Sequence, residues 1–440
     1  MNNHKMNYLE IEKWILSIPR FSKKNDLDVT RKFYKFLGSP GSKSKIIHIA
    51  GTNGKGSVCA YLNHILMLSG FKVGMFTSPH LISMRERIRV QGNAVSETEF
   101  CDVFYQVSNA AKQFRGTNPD YFPTFFELLF FMGMTYYDKE APEYIILETG
   151  LGGRLDATNV VEHPALCILT EIGLDHMQYL GEKVELIAEQ KAGILKQGVP
   201  VVYMNKRKEV SDVIESYARR LQCAAFPVSY DAITIFRNTS KSIDFSYHSG
   251  YYRYDGLTLK TAAIYQTENA AVAIRAIEVL FPYPLFLQYE AAIRRGIQEM
   301  VWAGRMEEIE EDVIIDGAHN EDGIEALMKV VRANTDKKNV LLFAVVSDKD
   351  YRKMIQILME KDEFERVYLT SINNERGLST DELKTVFRQY TNKEIFICHD
   401  PNNAYVKCLN EKKDNERVYA VGSLYLAGML KAAGGRNCND

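Results

Sequence analysis

No two cysteines of this chain stand in a Cys-x-x-Cys pair, and the seven present (Cys59, Cys101, Cys167, Cys223, Cys398, Cys408 and Cys438) are odd in number. Neither a disulfide framework nor a cysteine-ligated zinc site is expected, and a reducing compartment is implied. Long hydrophobic runs are missing too. The most apolar stretch, Phe122 to Tyr137, is too short to span a bilayer and carries Glu127. The opening residues, MNNHKMNYLEIEKW, lack the apolar core of a signal peptide. Neither sign of charge dominates, since 54 lysines and arginines face 56 acidic residues. That balance gives no electrostatic reason to expect nucleic acid or a membrane as partner. Repeats and low-complexity segments are also absent, and only the tail from Gly434 to Asp440 is expected to be disordered. These absences point to a soluble cytoplasmic protein. At 440 residues the chain is long for a single core, so two domains are expected.

What is present begins at Lys45 to Gly70: a buried strand (KIIHIA), a glycine-rich loop (GTNGKGS) and an amphipathic helix (VCAYLNHILMLSG). Gly51, Gly54 and Gly56 let the backbone approach an anion, Lys55 adds positive charge, and Ser57 offers a hydroxyl suited to Mg²⁺. Backbone N–H groups at a helix start attract phosphate, so the segment predicts a nucleoside triphosphate site. A standard P-loop, Gly-x-x-x-x-Gly-Lys-Ser/Thr, would need glycine at position 49, where this chain has Ile49. The loop is a shorter variant with Gly56 inserted between lysine and serine.

Further buried runs follow in KVGMFTSP, EYIILETG, ALCILTEIG and VPVVYMN, with helical patterns between them. This alternation predicts a mostly parallel sheet covered by helices, with ligands beyond the strand carboxyl ends. Alternating residues from Ser229 to Lys260 suggest a small antiparallel meander. A second series near and after residue 301 (VIIDGAHN, NVLLFAVVSDKD, RVYLTSIN, EIFICHD, RVYAVGSLYL) reads as five strands of a doubly wound domain. The fold class is therefore α/β in two domains, 1–298 with the P-loop and the antiparallel element, and 299–440 Rossmann-like.

The chemistry-bearing residues collect at strand ends. Thr77-Ser78-Pro79-His80, Glu148 and Asp175-His176 each follow a strand, and together could hold a divalent ion beside a triphosphate. The run Gly150 to Asn159 permits close backbone approach; within it Arg154 could bind a carboxylate or phosphate, and Asp156 and Asn159 could read polar edges. Glu127, amid aromatics, either snorkels to water or is kept for a partner. Lys191 reads as an ordinary amphipathic-helix lysine, and His48, Cys59 and Cys167 as core. In the second half, Arg305 could neutralise phosphate charge across an interdomain cleft. Asp316 could accept from ribose hydroxyls, His319 and Asn320 would sit at a helix start, and the amide of Asn269 could pair with a purine edge.

In this order the motifs resemble the folylpolyglutamate synthase/dihydrofolate synthase family of the Mur ligase superfamily. The resemblance runs through GTNGKGS (51–57), TSPHL (77–81), RERIRV (85–90), TFFE (124–127) and ETGLGGRLDATN (148–159). It continues in LDH (174–176), KAGI (191–194), ENAAVA (268–273), WAGR (302–305), DGAHN (316–320), SDKD (347–350) and GSLYL (422–426), and so covers nearly the whole chain. It implies a ligase that activates a folate or dihydropteroate carboxylate with ATP to an acyl phosphate, which the amine of L-glutamate then attacks. By residue match, Gly54, Lys55, Gly56 and Ser57 hold the triphosphate, with Asn269, Arg305 and Asp316 as further ATP positions. Ser57, Ser78, Glu148, His176 and Lys191 match metal-site positions, with Lys191 carbamylated. Lys191, His176, Arg305 and His319 are the implied catalytic set, which overturns the ordinary reading of Lys191. Thr124, Phe126 and Glu127, with Leu155, Asp156 and Ala157, fall in the implied pterin-binding region, and Arg154 is a further substrate-binding candidate. Implied cofactors are ATP, Mg²⁺ at two sites and a monovalent cation, and family members are usually monomers. The chain departs from the pattern at Ala303 (usually proline), Gln190 (usually glutamate) and Phe130 (usually threonine), the last bearing on the pterin contacts. Rival readings are a peptidoglycan-precursor ligase, a P-loop phosphotransferase or switch NTPase, and a non-enzymatic nucleotide-binding module.

Overall fold

The computed structural model describes residues 5–19, 25–175, 181–372 and 376–434. Strand β1 (Lys45–Ala50) shows why this segment lies at the centre: all but its first residue are buried. Its side chains alternate, as a pleated strand requires, so Ile47 and Ile49 enter one helix-covered layer and Ile46 the opposite one. A strand buried on both faces must read as a continuous apolar run, which is what the sequence displays.

Around β1 lies a sheet of eight strands in the order β4-β3-β2-β5-β1-β6-β7-β8. Here β2 is Val73–Phe76, β3 Ile88–Val90, β4 Asn93–Ala94, β5 Tyr144–Glu148, β6 Leu166–Leu169, β7 Val201–Asn205 and β8 Ala225–Ser229. The six strands β1, β2 and β5 to β8 run parallel, while β3 and β4 form an antiparallel edge. Strands β3, β4 and β8 escape the sequence reading because they are short or lie at an edge and lack a full apolar run. After β1 the chain turns to one side and after β5 to the other. The carboxyl ends of β1, β5 and β6 therefore flank a switch-point crevice, the usual place for a ligand on such a sheet.

The expected meander is present as β9 (Ile233–Asn238), β10 (Ile243–His248) and β11 (Arg253–Leu259), all antiparallel. The second sheet has six strands in the order β12-β13-β17-β14-β15-β16: Glu307–Glu310, Val313–Ile315, Glu416–Val421, Lys338–Phe343, Phe364–Leu369 and Glu394–Ile397. Its edge strand β12 was not legible, because EEIE offers a single apolar residue to packing. GSLYL does not extend the last strand, contrary to the reading from sequence. Gly422 turns the chain at φ +104°, in backbone space that favours glycine, and a helix begins at Leu424. The tail 435–440 lies outside the described residues.

Two motifs distant in sequence are locked together by their glycines. A Cβ on Gly153 would stand 2.8 Å from the carbonyl oxygen of Gln190 and 2.9 Å from that of Lys191; one on Gly193 would meet Arg154 Cα at 2.6 Å. The GGR loop and the helix Val184–Ala192 thus pack backbone against backbone. Gly153→Ala is expected to destabilise the protein by about 1–3 kcal/mol, because carbonyl groups cannot rotate aside as side chains can. A denaturant midpoint equal to that of the parent would overturn this reading of the contact.

Candidate functional site

One cavity of about 630 Å³ runs from the switch-point crevice to the second sheet. Its walls contain Gly54, Lys55, Gly56, Ser57, Ser78, Glu148, Lys191, Asn269, Arg305, Asp316 and His319, together with Thr124, Phe126, Glu127, Leu155, Asp156 and Ala157. Residues scattered over the sequence are thereby brought to one space. Among the residues proposed from sequence, His176 lies outside the described residues, and Thr77, His80, Arg154 and Asn159 do not line this cavity. The guanidinium of Arg154 donates to Tyr217 Oη instead, and its backbone N–H to the Gln190 carbonyl. Close packing of Gly193 on Arg154 Cα turns that side chain away from the crevice.

At the phosphate end, Gly54 has φ +84° and precedes the helix Lys55–Leu68. Nothing caps that helix start with a side chain, so its first N–H groups face the cavity ready for an anion. Lys55 Nζ donates to the carbonyls of Gly51 and Thr52 at 3.1 and 3.2 Å, which holds the ammonium over the loop. Ser57 Oγ accepts from Gln266 Nε2 at 3.2 Å. Asn269 donates to Gln266 Oε1 and presses against Gly54, where a Cβ would meet its Oδ1 at 2.2 Å. The amide read from sequence as a purine contact is thus engaged beside the phosphate loop. The inserted Gly56 has its own cause: a Cβ there would stand 3.0 Å from the indole nitrogen of Trp302.

Glu148 ends β5 at 3% exposure. One of its oxygens accepts from the Ser78 N–H at 2.9 Å, and the other has no hydrogen-bond partner among the described residues. Burial pushes the carboxyl above its ordinary range, against Lys55, the Ser78 N–H, Arg305 and Arg87, which favour the anion. No group of three or more His, Cys, Asp or Glu side chains among the described residues could hold a metal. One carboxylate with the hydroxyls of Ser57 and Ser78 is a hard-oxygen set of the kind Mg²⁺ accepts when phosphate and water complete its shell. These residues fit such an ion.

Lys191 is buried on the helix Val184–Ala192 and donates to the Gly51 carbonyl at 2.7 Å. Its ammonium is lowered to about 7, first by burial and then by neighbouring Lys55, with Asp175 and Asp156 pulling the other way. A buried lysine lowered in this way is partly the free amine, which is a nucleophile.

From the second sheet come Arg305, Asp316 and His319. The half-buried guanidinium of Arg305 makes no hydrogen bond or ion pair among the described residues, although its field reaches Glu148 and Asp316. Asp316 accepts from Tyr265 Oη, the Met306 N–H and the Ala318 N–H, which ties it to the linker. Of the roughly four acceptor sites of a carboxylate, about one is left for the ribose contact suggested by sequence. His319 pairs Nδ1 with the Gly317 carbonyl at 2.7 Å and is held neutral, lowered to about 3 by burial and Lys349. Contacts between the two sheets that sequence did not single out close the cavity: Lys349 to Asp175 at 2.8 Å, Asn320 to Asn53 at 3.1 Å and Arg207 to Asp322 at 2.8 Å.

At the far end, Glu127 is kept for partners rather than snorkelling. It caps the helix Phe125–Glu140 by accepting from the Thr124 N–H, and also accepts from Asn25 Nδ2 and Thr30 Oγ1, each at 2.7 Å. Asn25 and Thr30 line the cavity and were missed, because nothing in their local pattern marks them. Asp156 takes the N–H groups of Gly150, Leu151 and Thr158 and so shapes its own loop. Phe130 is fully buried in the aromatic core away from the cavity walls, so its departure from the threonine pattern does not touch the ligand space. His48 is core, as expected, and bonds Thr158.

Residues 304–424 match the family described as Mur ligase, glutamate ligase domain. The chain is 33% identical over 430 residues to the dihydrofolate synthase/folylpolyglutamate synthase of Bacillus subtilis, covering 96% of this chain and 98% of that protein. In three dimensions it resembles the folylpolyglutamate synthase of Thermotoga maritima, with TM-score 0.84 and 28% identity over 98% of this chain and 97% of the other. It also resembles FolC of E. coli in complex with DHPP and ADP, with TM-score 0.86 and 25% identity over 99% of each chain. The strand-end cavity, the short P-loop and similarity along the full length agree, and the chain belongs to the folylpolyglutamate synthase/dihydrofolate synthase family of the Mur ligase superfamily.

Proposed function

We propose that this protein is an ATP-dependent acid–amino-acid ligase that adds L-glutamate to a folate, and to dihydropteroate as well. The observation that carries the reading is the single cavity that joins the phosphate loop at one end to the Thr124–Glu127 and Leu155–Ala157 walls at the other. A switch NTPase, whose phosphoryl acceptor is water, needs no second ligand space beyond the triphosphate. In this reading Lys55, Ser57 and the N–H groups of the helix start hold the triphosphate, and Arg305 offsets charge on the transferring phosphoryl group. The substrate carboxylate attacks the γ-phosphorus, ADP leaves, and an acyl phosphate forms. The amine of glutamate then forms the C–N bond while the C–O bond to phosphate breaks. Phosphate departs with the electron pair; of the two protons lost by the ammonium group, one goes to phosphate and one to solvent.

Mg²⁺ held by Ser57, Glu148 and Ser78 would supply charge neutralisation at the phosphates. Our proposal includes a second Mg²⁺ with His176 and carbamylated Lys191, and a monovalent cation. Its support at Lys191 is the burial that lowers the ammonium and makes the free amine accessible, the form that combines with carbon dioxide. Acyl phosphates hydrolyse readily, so the contacts between the two sheets serve to exclude water. Among the described residues no helix is long and apolar enough to cross a membrane, and the substrates proposed are small molecules.

The test is phosphate release from ATP by purified protein, with and without glutamate, offering dihydropteroate and tetrahydrofolate separately. Glutamate-dependent release with both acids is expected. Release with only one would make the protein monofunctional, and with neither would overturn the folate assignment.

A further inference from the structure

A second pocket, of about 280 Å³, opens beside the first and shares with it Gly56, Ser78, Glu148 and Arg305. It extends along the helix Lys55–Leu68 to Asn63, under the linker residues Met300 to Ala303. Gly56 and Asn63 are seven positions apart, so the pocket is about 10 Å long by helix rise alone. Arg89 lines it, with its guanidinium 5.9 Å from the ring centre of Trp302. The donors Nε and Nη1 of Arg89 go to the carbonyls of Glu86 and Gly92, which are neutral. No carboxylate among the described residues pairs with Arg89 or with Arg305. The Asn63 side chain is more than nine-tenths buried, and its Oδ1 accepts nothing. Glu86 also lines the pocket, but its oxygens accept from the N–H groups of Leu81, Ile82 and Ser83. Arg89 Nη2 and the guanidinium of Arg305, with no hydrogen bond among the described residues, are left to receive an anionic group, and Asn63 Oδ1 to receive a donor such as an ammonium group.

The length of the pocket argues for an extended molecule with two anionic groups rather than for a tetrahedral ion. Its position argues for the third substrate: nucleotide and pteridine acid fill the two ends of the main cavity, and the amine must reach the carboxyl carbon near Glu148 and Arg305. We propose that this pocket admits the incoming amino acid and that Arg89 binds its side-chain carboxylate, making Arg89 the residue that selects glutamate over glutamine. The assignment rests on the ligase reading above.

The experiment uses the full chain with Arg89→Ala and Arg89→Gln, and measures KM separately for glutamate, ATP and dihydropteroate. Loss of one charge-assisted carboxylate contact is expected to raise the glutamate KM by about 10- to 100-fold in both variants and to shrink the preference for glutamate over glutamine, while the other two KM values stay put. Hydroxylamine, which needs no carboxylate site, is expected to trap the acyl phosphate as hydroxamate in parent and variants alike. An unchanged glutamate KM, or weaker inhibition by product phosphate as the only change, overturns the pocket assignment. Absence of both hydroxamate and glutamate adduct in the parent protein would instead sink the ligase reading itself.

Discussion

Lys191→Ala is expected to lower turnover by about a thousandfold or more, the scale seen when a preorganised charged group at a reacting centre is lost. The side chain is 4% exposed, donates to the Gly51 carbonyl of the phosphate loop and sits beside Lys55. An amine held at about 7 is partly uncharged at working pH, which is what carbamylation requires and what an ordinary helix lysine would not provide. Partial rescue of the alanine variant by short carboxylates would support an anionic group at this place; full activity without them would refute any catalytic role. The same burial has a stability consequence. The folded-state value of about 7 lies below the ordinary 10.5, so the unfolded chain binds more protons between those limits. The cost of burying the cation is complete below about pH 7 and fades as pH rises toward 10.5. Lys191→Met is therefore expected to melt at a higher temperature than the parent at pH 6, with the gap narrowing at alkaline pH, while remaining inactive. A lower melting temperature at pH 6 would mean that the site does not strain the fold in the way described.

Glu148→Gln is expected to reduce kcat by about 100- to 1,000-fold with little change in the KM of the pteridine acid. The substitution keeps shape and an acceptor for the Ser78 N–H but removes the one carboxylate at the end of β5 beside Ser57 and Ser78. Because a neutral amide is a poor ligand for a hard cation, the variant should also need several-fold more Mg²⁺ for half-maximal rate. A titration of rate against Mg²⁺ checks this. An unchanged Mg²⁺ requirement would remove Glu148 from the metal site and leave it as a structural acceptor.

Both residues illustrate how unevenly the site could be read from the chain. Glu148 stood out only in company: alone it reads as a polar loop residue, and its placement with Thr77 to His80 and Asp175-His176 at neighbouring strand ends marked it. Lys191 did not, since its spacing on an amphipathic helix is that of any solvated lysine; only the family motif drew attention to it, and only the packing of Gly153 and Gly193 explains its burial. Arg154 went the other way: a prominent arginine in a glycine-rich loop is spent on Tyr217. Asp316 and Asp156, read as ligand contacts, prove to be largely occupied by backbone N–H groups. A short polar side chain after a strand serves a turn and a ligand equally well, and local sequence does not distinguish the two.

By itself the sequence determined the central parallel strands, the anion-binding loop and its departure from the ordinary P-loop. The strands and the loop rest on local periods and glycine positions, and the order of motifs along the whole chain pointed to the family. Tertiary structure alone decided the antiparallel edge strands, the turn of the chain at Gly422, and the partners of Glu127 contributed by Asn25 and Thr30. It also decided which arginines face the cavities without a carboxylate partner among the described residues, Arg305 and Arg89, and that Arg154 turns away to Tyr217. Those are questions of which distant groups meet, and a charge or a hydrogen-bond acceptor carries no local mark of the partner that will satisfy it.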